Sequence, residues 1–337
     1  MERLTLIDPL DMHLHLREGE TLKRVLPYTA NLFSGAVVMP NLKTPLYTAQ
    51  EVLSYKKSIK EACPKERFTP FMTLFFHENL TLEELTLAQI EGVRIIKLYP
   101  KGSTTGSEAG VAQILTPKTL QILETMQSLG LILSMHGESG GFVLEREFEF
   151  LSVYEEIART FPKLQIIIEH MSDARSLERI ERFSNLYGTL TLHHLLYTLD
   201  DLLGQALNPH LFCKPVLKLP RDREALQKAA LGAHPKISFG SDSAPHPKEA
   251  KESAKGAAGI FSAPLLLPLL AELFERHGKL ENLQAFVSDN AHRIYGIAPL
   301  GKRVTLLQEE SLIEEDYSGF IPPEAGKRVR WRVESSC

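Results

Sequence analysis

Eight short apolar runs alternate along the chain with longer amphipathic stretches, and this alternation restricts the fold more than any other feature. The runs cover residues 10–15, 36–39, 70–77, 93–98, 131–136, 165–170, 189–193 and 236–240. Helix-like segments separate them at 21–33, 49–62, 82–90, 117–129, 145–160, 174–183 and 222–231, and an eighth at 263–276 follows the last run. Thr116-Pro117 sets a cap residue before a proline at the first helical position, and Asp173 stands where it can cap a helix starting at Ala174. Ile95-Ile96 and Ile166-Ile167-Ile168 are apolar on both faces, as parallel strands between two layers must be. Eight strand–helix units in series predict a closed (β/α)8 barrel, the TIM barrel, with a doubly wound open sheet as the competing architecture. A chain of 337 residues suffices for one such barrel. After Gly296 the sequence turns charged, carries Pro322-Pro323 and closes with the strand-like Val329-Arg330-Trp331-Arg332-Val333. The expectation is a single barrel domain over 1–337, with 297–337 as a C-terminal extension packed on it.

Composition removes several classes of function. The formal net charge of −4 argues against nucleic acid or an anionic membrane as the main partner. Cys63, Cys213 and Cys337 are too few and too scattered for a disulfide framework or a thiolate zinc site. The first eight residues lack the apolar stretch of a secretory signal, and the most apolar segment, 261–274, is interrupted by Pro264, Pro268 and Glu272 and is too short to span a bilayer. A cytoplasmic protein acting on a small molecule is the expectation.

In a barrel of this kind catalytic side chains stand at the C-terminal ends of the strands. The first run ends Asp11-Met12-His13-Leu14-His15-Leu16-Arg17. Strand residues two apart share a face, so His13 and His15 point together and can share a metal, although a lone His-x-His is weak evidence. The fourth run ends Ile96-Lys97-Leu98-Tyr99. Taken alone, a lysine in an apolar strand reads first as the partner of a barrel carboxylate. Burial also makes part of it a neutral amine, which can take up carbon dioxide as a carbamate and bridge two cations. His136 and His170 end the fifth and sixth runs, and Asp242 lies just past the eighth. Four histidines and a carboxylate from four strand ends, with the lysine from a fifth, suit a binuclear site for zinc or a related divalent metal.

The ordered set His-x-His, Lys, His, His, Asp resembles that of the amidohydrolase superfamily. The strings around it are closer still to the dihydroorotases of the short, single-domain class. They are Asp11-Met12-His13-Leu14-His15-Leu16-Arg17, Met39-Pro40-Asn41, Lys97-Leu98-Tyr99-Pro100, Thr104-Thr105, His136-Gly137-Glu138, Glu169-His170, Lys214-Pro215 and Gly240-Ser241-Asp242-Ser243-Ala244-Pro245-His246. Asp289-Asn290-Ala291 and Val329-Arg330-Trp331 also fit, so the resemblance spans almost the whole chain. Hydantoinases, allantoinases and the long dihydroorotases place a small β-domain segment before the His-x-His; none is expected here, where that motif starts at residue 13.

The resemblance implies roles residue by residue. His13 and His15 with Asp242 would hold the more buried of two zinc ions, and carboxylated Lys97 would bridge it to a second held by His136 and His170. A bridging hydroxide would attack the ring carbonyl of dihydroorotate, and Asp242 would pass its proton to the departing ring nitrogen. The reverse direction would close N-carbamoyl-L-aspartate in de novo pyrimidine biosynthesis. Arg17, Asn41 and His246 would bind the substrate carboxylate. His15 and His136 would touch substrate as well as metal, main-chain groups near Lys214 and at Ala258 would hold the ring, and the 101–110 loop would close as a lid through Thr104 and Thr105. The resemblance also implies a homodimer. Another cyclic-amide hydrolase is the nearest alternative, but hydantoin and allantoin carry no carboxylate for the Arg17 pocket. A non-catalytic assembly scaffold is the other, and such proteins usually lose metal ligands, whereas all six are present. His193, at the end of the seventh run, is given a structural role.

Overall fold

The computed structural model describes residues 2–64 and 67–334. Strand β1 (Arg3–Ile7) precedes eight strands that pair in chain order, each parallel to the next. These are β2 (Leu10–Leu14), β3 (Gly35–Val38), β4 (Thr69–Phe75), β5 (Ile95–Leu98), β6 (Ile132–Met135), β7 (Gln165–Ile168), β8 (Leu186–Leu190) and β9 (Ile237–Phe239). The sheet curls until its ends meet just past β2 and β9. Leu14 bridges Ser243 in parallel, Asp242 N–H donates to the His13 carbonyl at 2.8 Å, and His15 N–H donates to the Ser243 carbonyl at 3.1 Å. The expected (β/α)8 barrel forms, and its closure brings residues 13–15 and 242–243 to one corner.

Helices α1 (Gly19–Leu32), α2 (Ala49–Ala62), α3 (Leu82–Ile90), α4 (Pro117–Ser128), α5 (Arg146–Thr160) and α6 (Arg175–Arg182) follow successive strands. Local chemistry sets their starts. Thr48 and Glu51 form a reciprocal capping box on α2, and Thr116 accepts the Thr119 N–H at 3.2 Å behind Pro117 on α4. At α6 the N-cap position falls on Ala174, yet Asp173 still accepts the Arg175 N–H at 2.9 Å.

The seventh run departs from expectation. Strand β8 stops at Leu190 because Thr191 accepts the His194 N–H at 3.1 Å and caps a short helix α7 (Leu192–Leu196). His193 is therefore helical and does not end a strand. Helices α8 (Leu199–Leu203), α9 (Pro220–Leu231), α10 (Lys248–Lys251), α11 (Leu266–Arg276) and α12 (Asn290–Tyr295) complete the helical set. The last of these was not legible as an element. It closes the barrel floor, where Ala291, Ile294 and Tyr295 pack against the inward residues Leu10, Met12, Val37, Met39, Ile95, Ile132 and Ile167. Alternate residues such as Ile96, Leu98, Leu133, Met135, Ile166 and Ile168 face outward into the helix layer. Both faces of the strands are thus covered by apolar groups, as a parallel sheet requires.

The C-terminal segment differs from a single expected strand. The 329–333 run splits into β12 (Arg328–Val329), paired with β11 (Ser311–Leu312), and β13 (Arg332–Val333), paired with β10 (Arg303–Leu307). Trp331 between them is fully buried and donates its indole N–H to Glu275 of α11 at 3.1 Å. Strand β10 pairs antiparallel with β1 from Arg3↔Leu307 to Ile7↔Arg303. A strand therefore does precede the His-x-His motif, and it is held by the chain's own C-terminal segment. Cys337, at the end of that segment, lies outside the described residues.

Asp8 fastens the two ends together. Its backbone is left-handed (φ 46°), and its carboxylate accepts the N–H groups of Leu300 (2.8 Å), Gly301 (3.0 Å) and Lys302 (2.6 Å) and the Ser34 hydroxyl (3.0 Å). Burial raises its pKa, but the bonds to Gly301, Lys302 and Leu300 outweigh that and hold it below the usual carboxylate value. A depressed folded-state pKa contributes stability above the unfolded value and loses it as pH falls through the folded one. Asp8→Ala should cost about 2–3 kcal/mol in urea unfolding at pH 7, the scale for a charged acceptor of several buried bonds. The difference from wild type should shrink on acidification. An equal difference at all pH values would remove the carboxylate from the account.

Candidate active site

Strand periodicity accounts for most of the cavity. On β5, Ile95 faces inward and Ile96 outward, so Lys97 and Tyr99 return to the inside. On β6, Ile132 and Ser134 are inward, followed by His136, and on β7 the same parity carries Ile167 to Glu169. Strand β2 breaks this rule. Met12 belongs to the barrel floor and Leu14 to the outer layer, so the parity flips between them; the pairing with β3 shifts register between Asp11 and Leu14. That irregularity turns His13 and His15 both inward. The Asp11 carboxylate holds it by accepting from the N–H groups of His13 (3.2 Å) and Ser241 (2.7 Å) and from the Ser241 hydroxyl (2.6 Å). Gly240 leaves room beside it, since a Cβ there would stand 3.1 Å from the His13 Cβ and 3.2 Å from that of Thr189.

Three cavity residues, Arg17, His170 and Asp242, have left-handed backbones with φ of 59°, 39° and 46°. Non-glycine residues avoid this region, and such strain concentrates at functional sites. At His170 it lets consecutive residues both serve the barrel interior. Glu169 points beneath, to His13, and the His170 ring lies 5.0 Å from that of His13.

The candidate ligands converge. One nitrogen each of His13 and His15 and one Asp242 oxygen lie within 4.8 Å of one another, a group able to hold a metal ion. Asp242 Oδ1 stands 3.0 Å from His15 Nε2 and 3.5 Å from His13 Nε2. Beside them His136 Nδ1 faces His170 Nε2 at 3.1 Å. The other His136 nitrogen is engaged by Glu138 at 2.7 Å, and the other His13 nitrogen by Glu169 at 2.9 Å. A carboxylate on the far nitrogen leaves the near lone pair free for a cation. Lys97 is fully buried, and its Nζ has no hydrogen-bond partner; it lies 5.0 Å from the Tyr99 ring centre. The lysine is therefore not bonded to a barrel carboxylate, the alternative the sequence left open.

Charges in the cluster follow from burial. It pushes Lys97 down to about 8 despite the opposing Glu169 and Asp242 charges, and it lowers His13, His15 and His170. It raises Asp242 against the pull of His13, His136 and Lys97. Glu169 is the exception. Burial raises it, but His13, Lys97 and the bond from Ser134 bring it to about 2, so it stays ionised. Neither Glu169 nor Glu138 was given a role on sequence grounds, although the inward parity of β7 marks Glu169.

The cavity is lined by His13, His15, Arg17, Asn41, Tyr99, Thr104, Thr105, His136, His170, Lys214, Asp242, Ala244, Ala258 and Gly259. Every expected site residue lines it except Lys97, buried beneath, and His246. The latter lies behind Arg17, whose Nη2 is 3.2 Å from His246 Nε2 and whose Nε donates to the Pro245 carbonyl at 3.3 Å. The 101–110 loop reaches over the opening. Asn41 donates to the Thr105 carbonyl at 3.1 Å, and the Thr105 hydroxyl to the Ala258 carbonyl at 3.3 Å. Arg17 faces space rather than a carboxylate partner, an arrangement suited to a bidentate anion. Arg17→Met should raise KM by about tenfold or more while the metal content holds, since a charge-assisted bond contributes about 1.5–3 kcal/mol. Metal loss at constant KM would reassign Arg17 to ligand support.

His193, His194 and Cys213 form a second buried group of ligand-type atoms. His194 uses both nitrogens, on the Thr191 hydroxyl (2.9 Å) and the Pro215 carbonyl (3.1 Å), and the Cys213 thiol donates to that same carbonyl at 3.2 Å. The group braces the Lys214-Pro215 turn at the cavity edge.

Comparisons with known proteins point to one family. The amidohydrolase family model matches residues 61–297. A dihydroorotase of Helicobacter hepaticus is 54% identical over 99% of this chain and 98% of its own, and one of Halorhodospira halophila is 40% identical over 99% of both. Among solved structures, dihydroorotase from Campylobacter jejuni superposes with a TM-score of 0.93 at 43% identity, covering 99% of this chain and 98% of that one. Dihydroorotase from Saccharomyces cerevisiae, solved with 5-fluoroorotic acid, gives 0.92 at 35% identity and 99% coverage of both. An L-hydantoinase from Arthrobacter aurescens, at 16% identity and a TM-score of 0.83, shares the fold. With a family model over most of its length and relatives of this identity over nearly all of it, the chain belongs to the amidohydrolase family and, within it, to the dihydroorotases.

Proposed function

We propose that the chain catalyses the reversible closure of N-carbamoyl-L-aspartate to dihydroorotate and water. The observation that carries this reading is one cavity lined by four histidines and Asp242, with Lys97 buried beneath and a guanidinium without a carboxylate partner at its rim, in a chain 54% identical to a named dihydroorotase. His13, His15 and Asp242 would hold one divalent cation and His136 and His170 a second, with a carbamate on Lys97 between them. The donor set fits zinc. Two facing imidazole nitrogens, a partnerless buried lysine and carboxylates behind the ligand rings are what such a site requires. Bound divalent cations supply Lewis acidity and acidify water at neutral pH.

The remaining work falls to the chain. The neutral fraction of Lys97 attacks carbon dioxide, forming an N–C bond and releasing one proton to solvent. Arg17, with Asn41 and His246, binds the substrate carboxylate and sets the ring's orientation. Main-chain groups at Lys214 and Ala258 hold the ring. Asp242 accepts a proton from the attacking water and delivers it to the departing ring nitrogen; in the other direction it returns that proton to the leaving water. Thr104 and Thr105 close the 101–110 loop over the substrate and exclude bulk water from the reacting atoms.

The same reading makes the enzyme cytoplasmic and homodimeric. Among the described residues no helix is long and apolar enough to cross a membrane. The test is a pair of measurements on one sample purified without chelator: ring opening of dihydroorotate, and elemental analysis. Turnover with about two metals per chain is expected. A folded, metal-loaded sample inert toward dihydroorotate would end this reading, and full activity with one metal would end its binuclear part.

A further inference from the structure

We infer that Lys251 is a positioning residue that fixes the main-chain frame on which the substrate ring rests, an inference that deepens the dihydroorotase reading and depends on it. Lys251 ends α10 and is 4% exposed. Its ammonium donates to three main-chain carbonyls, those of Phe212 (2.9 Å), Ala257 (2.9 Å) and Gly259 (2.6 Å). Three donors meet three acceptors, so the cation is fully satisfied without a carboxylate. A buried ammonium otherwise costs several kcal/mol, so this geometry is the condition for keeping one here.

The three carbonyls belong to two loops that form one side of the cavity. Phe212 precedes Cys213 and Lys214, while Ala257 and Gly259 flank Ala258; Lys214, Ala258 and Gly259 all line the cavity. The loops also meet directly, through Gly259 N–H to the Phe212 carbonyl at 2.9 Å. One oxygen thus accepts from both Gly259 and Lys251 and is the joint between the loops. Gripping the carbonyls on either side of Ala258 fixes the peptide planes between them. The Ala258 carbonyl is thereby left toward the 101–110 loop, where it receives the Thr105 hydroxyl. The segment has little slack. Gly259 has φ of 145°, and a Cβ there would lie 2.9 Å from Ala244 Cβ, Ala244 O and His246 Cδ2. A shift of its carbonyl therefore carries the ring-facing backbone, His246 and the Thr105 contact with it. Without the ammonium, the Ala257 and Gly259 carbonyls lose their donor in a buried place, and the Phe212 carbonyl keeps only the Gly259 N–H, so the loops must part to admit water.

Lys251 is reachable from its far side, where with Phe212, Val216 and Gly256 it lines a wide apolar groove. That permits chemical rescue. Lys251→Ala, purified with its metals, should show KM for dihydroorotate and the inhibition constant of 5-fluoroorotic acid both raised by about tenfold, the loss expected for a charge-assisted bond. The turnover number should fall far less and metal content should match wild type. Added n-propylammonium should lower KM back toward wild type with a saturating dependence, and tetramethylammonium, which has no N–H donor, should not. Lys251→Met, which keeps the stem and leaves no room for the added amine, tests KM, the inhibition constant, turnover and metal content without rescue should the alanine variant not fold. A folded variant whose KM and inhibition constant stay within twofold of wild type, or whose defect lies only in melting temperature, overturns the inference. So does a KM defect of Lys251→Ala that n-propylammonium leaves unchanged. Failure of wild type itself to open dihydroorotate would instead overturn the functional reading.

Discussion

Lys97→Ala is expected to abolish turnover, by on the order of 10³-fold or more, and to lose at least one metal per chain, because it removes a group that other residues cannot replace. The side chain is fully buried, its Nζ has no hydrogen-bond partner, and the charges nearest it are Glu169 and Asp242. A permanently charged lysine in that place would be stabilised by bonding to one of them, and it is bonded to neither. Burial instead brings it to about 8, which leaves a substantial neutral fraction at physiological pH, and a neutral amine is the form that takes up carbon dioxide. The gain from a carbamate is two anionic oxygens at the point between the His13–His15–Asp242 group and the His136–His170 pair. Short carboxylates such as acetate or propionate should partly restore activity to Lys97→Ala, since they can enter the space and present similar oxygens. Lys97→Arg should not be active, because a guanidinium forms no carbamate. Near-normal turnover of Lys97→Ala, or mass spectrometry of native wild type showing no added carbon dioxide, would defeat this account.

The parts of the fold visible in sequence are those governed by local periodicity. The alternation Ile95, Ile96, Lys97 already dictates that Lys97 shares the inside with Ile95, and the same reasoning covers His136 on β6. Long-range pairing is what local pattern cannot show. The shifted register between Asp11 and Leu14 turns His13 inward after Met12, and it depends on Ser241, which is 230 residues away. The left-handed turn at His170 is equally silent, because neither Glu169 nor His170 has the composition of a turn. Strand β1 went unseen although Arg3–Ile7 alternates exposed and covered residues, because so short a run is defined by its pairing with Arg303–Leu307. His193 shows the reverse error, in which an apolar run continued across Thr191, a residue whose side chain is a helix cap. Site residues carried by a resemblance fared differently. Arg17 and Asn41 follow the neighbouring strands β2 and β3, and His246 reaches Arg17 because the barrel closes between Leu14 and Ser243.

Asp242→Asn is expected to lose both directions of the reaction, by about 10²–10⁴-fold, while retaining most of its bound metal. The substitution keeps the size of the side chain and one oxygen near His15 but cannot cycle a proton. Closing a compound with two carboxylates into one with a single carboxylate consumes a proton, so low pH favours the ring at equilibrium whatever the enzyme does. With Asp242 as the proposed proton shuttle, the enzyme would add an asymmetry. Ring opening needs the carboxylate ionised to take the proton of the attacking water, so its rate should fall on the acid side. Ring closure needs Asp242 protonated to help release water, so its rate should fall on the alkaline side. Burial raises the Asp242 pKa, which moves both limbs toward neutrality, and His13, His136 and Lys97 pull them back. Cations bound to the same ligands shift the limbs further down, and the cluster titrates as a unit, so the crossing point belongs to the site and not to one residue. The profiles of the two directions should therefore cross in wild type and flatten in Asp242→Asn. Substantial turnover of that variant with metals in place, or a single acid limb shared by both directions of wild type, would move the proton shuttle to another group, and the nearest titratable candidate against it is His15, whose Nε2 lies 3.0 Å from Asp242 Oδ1.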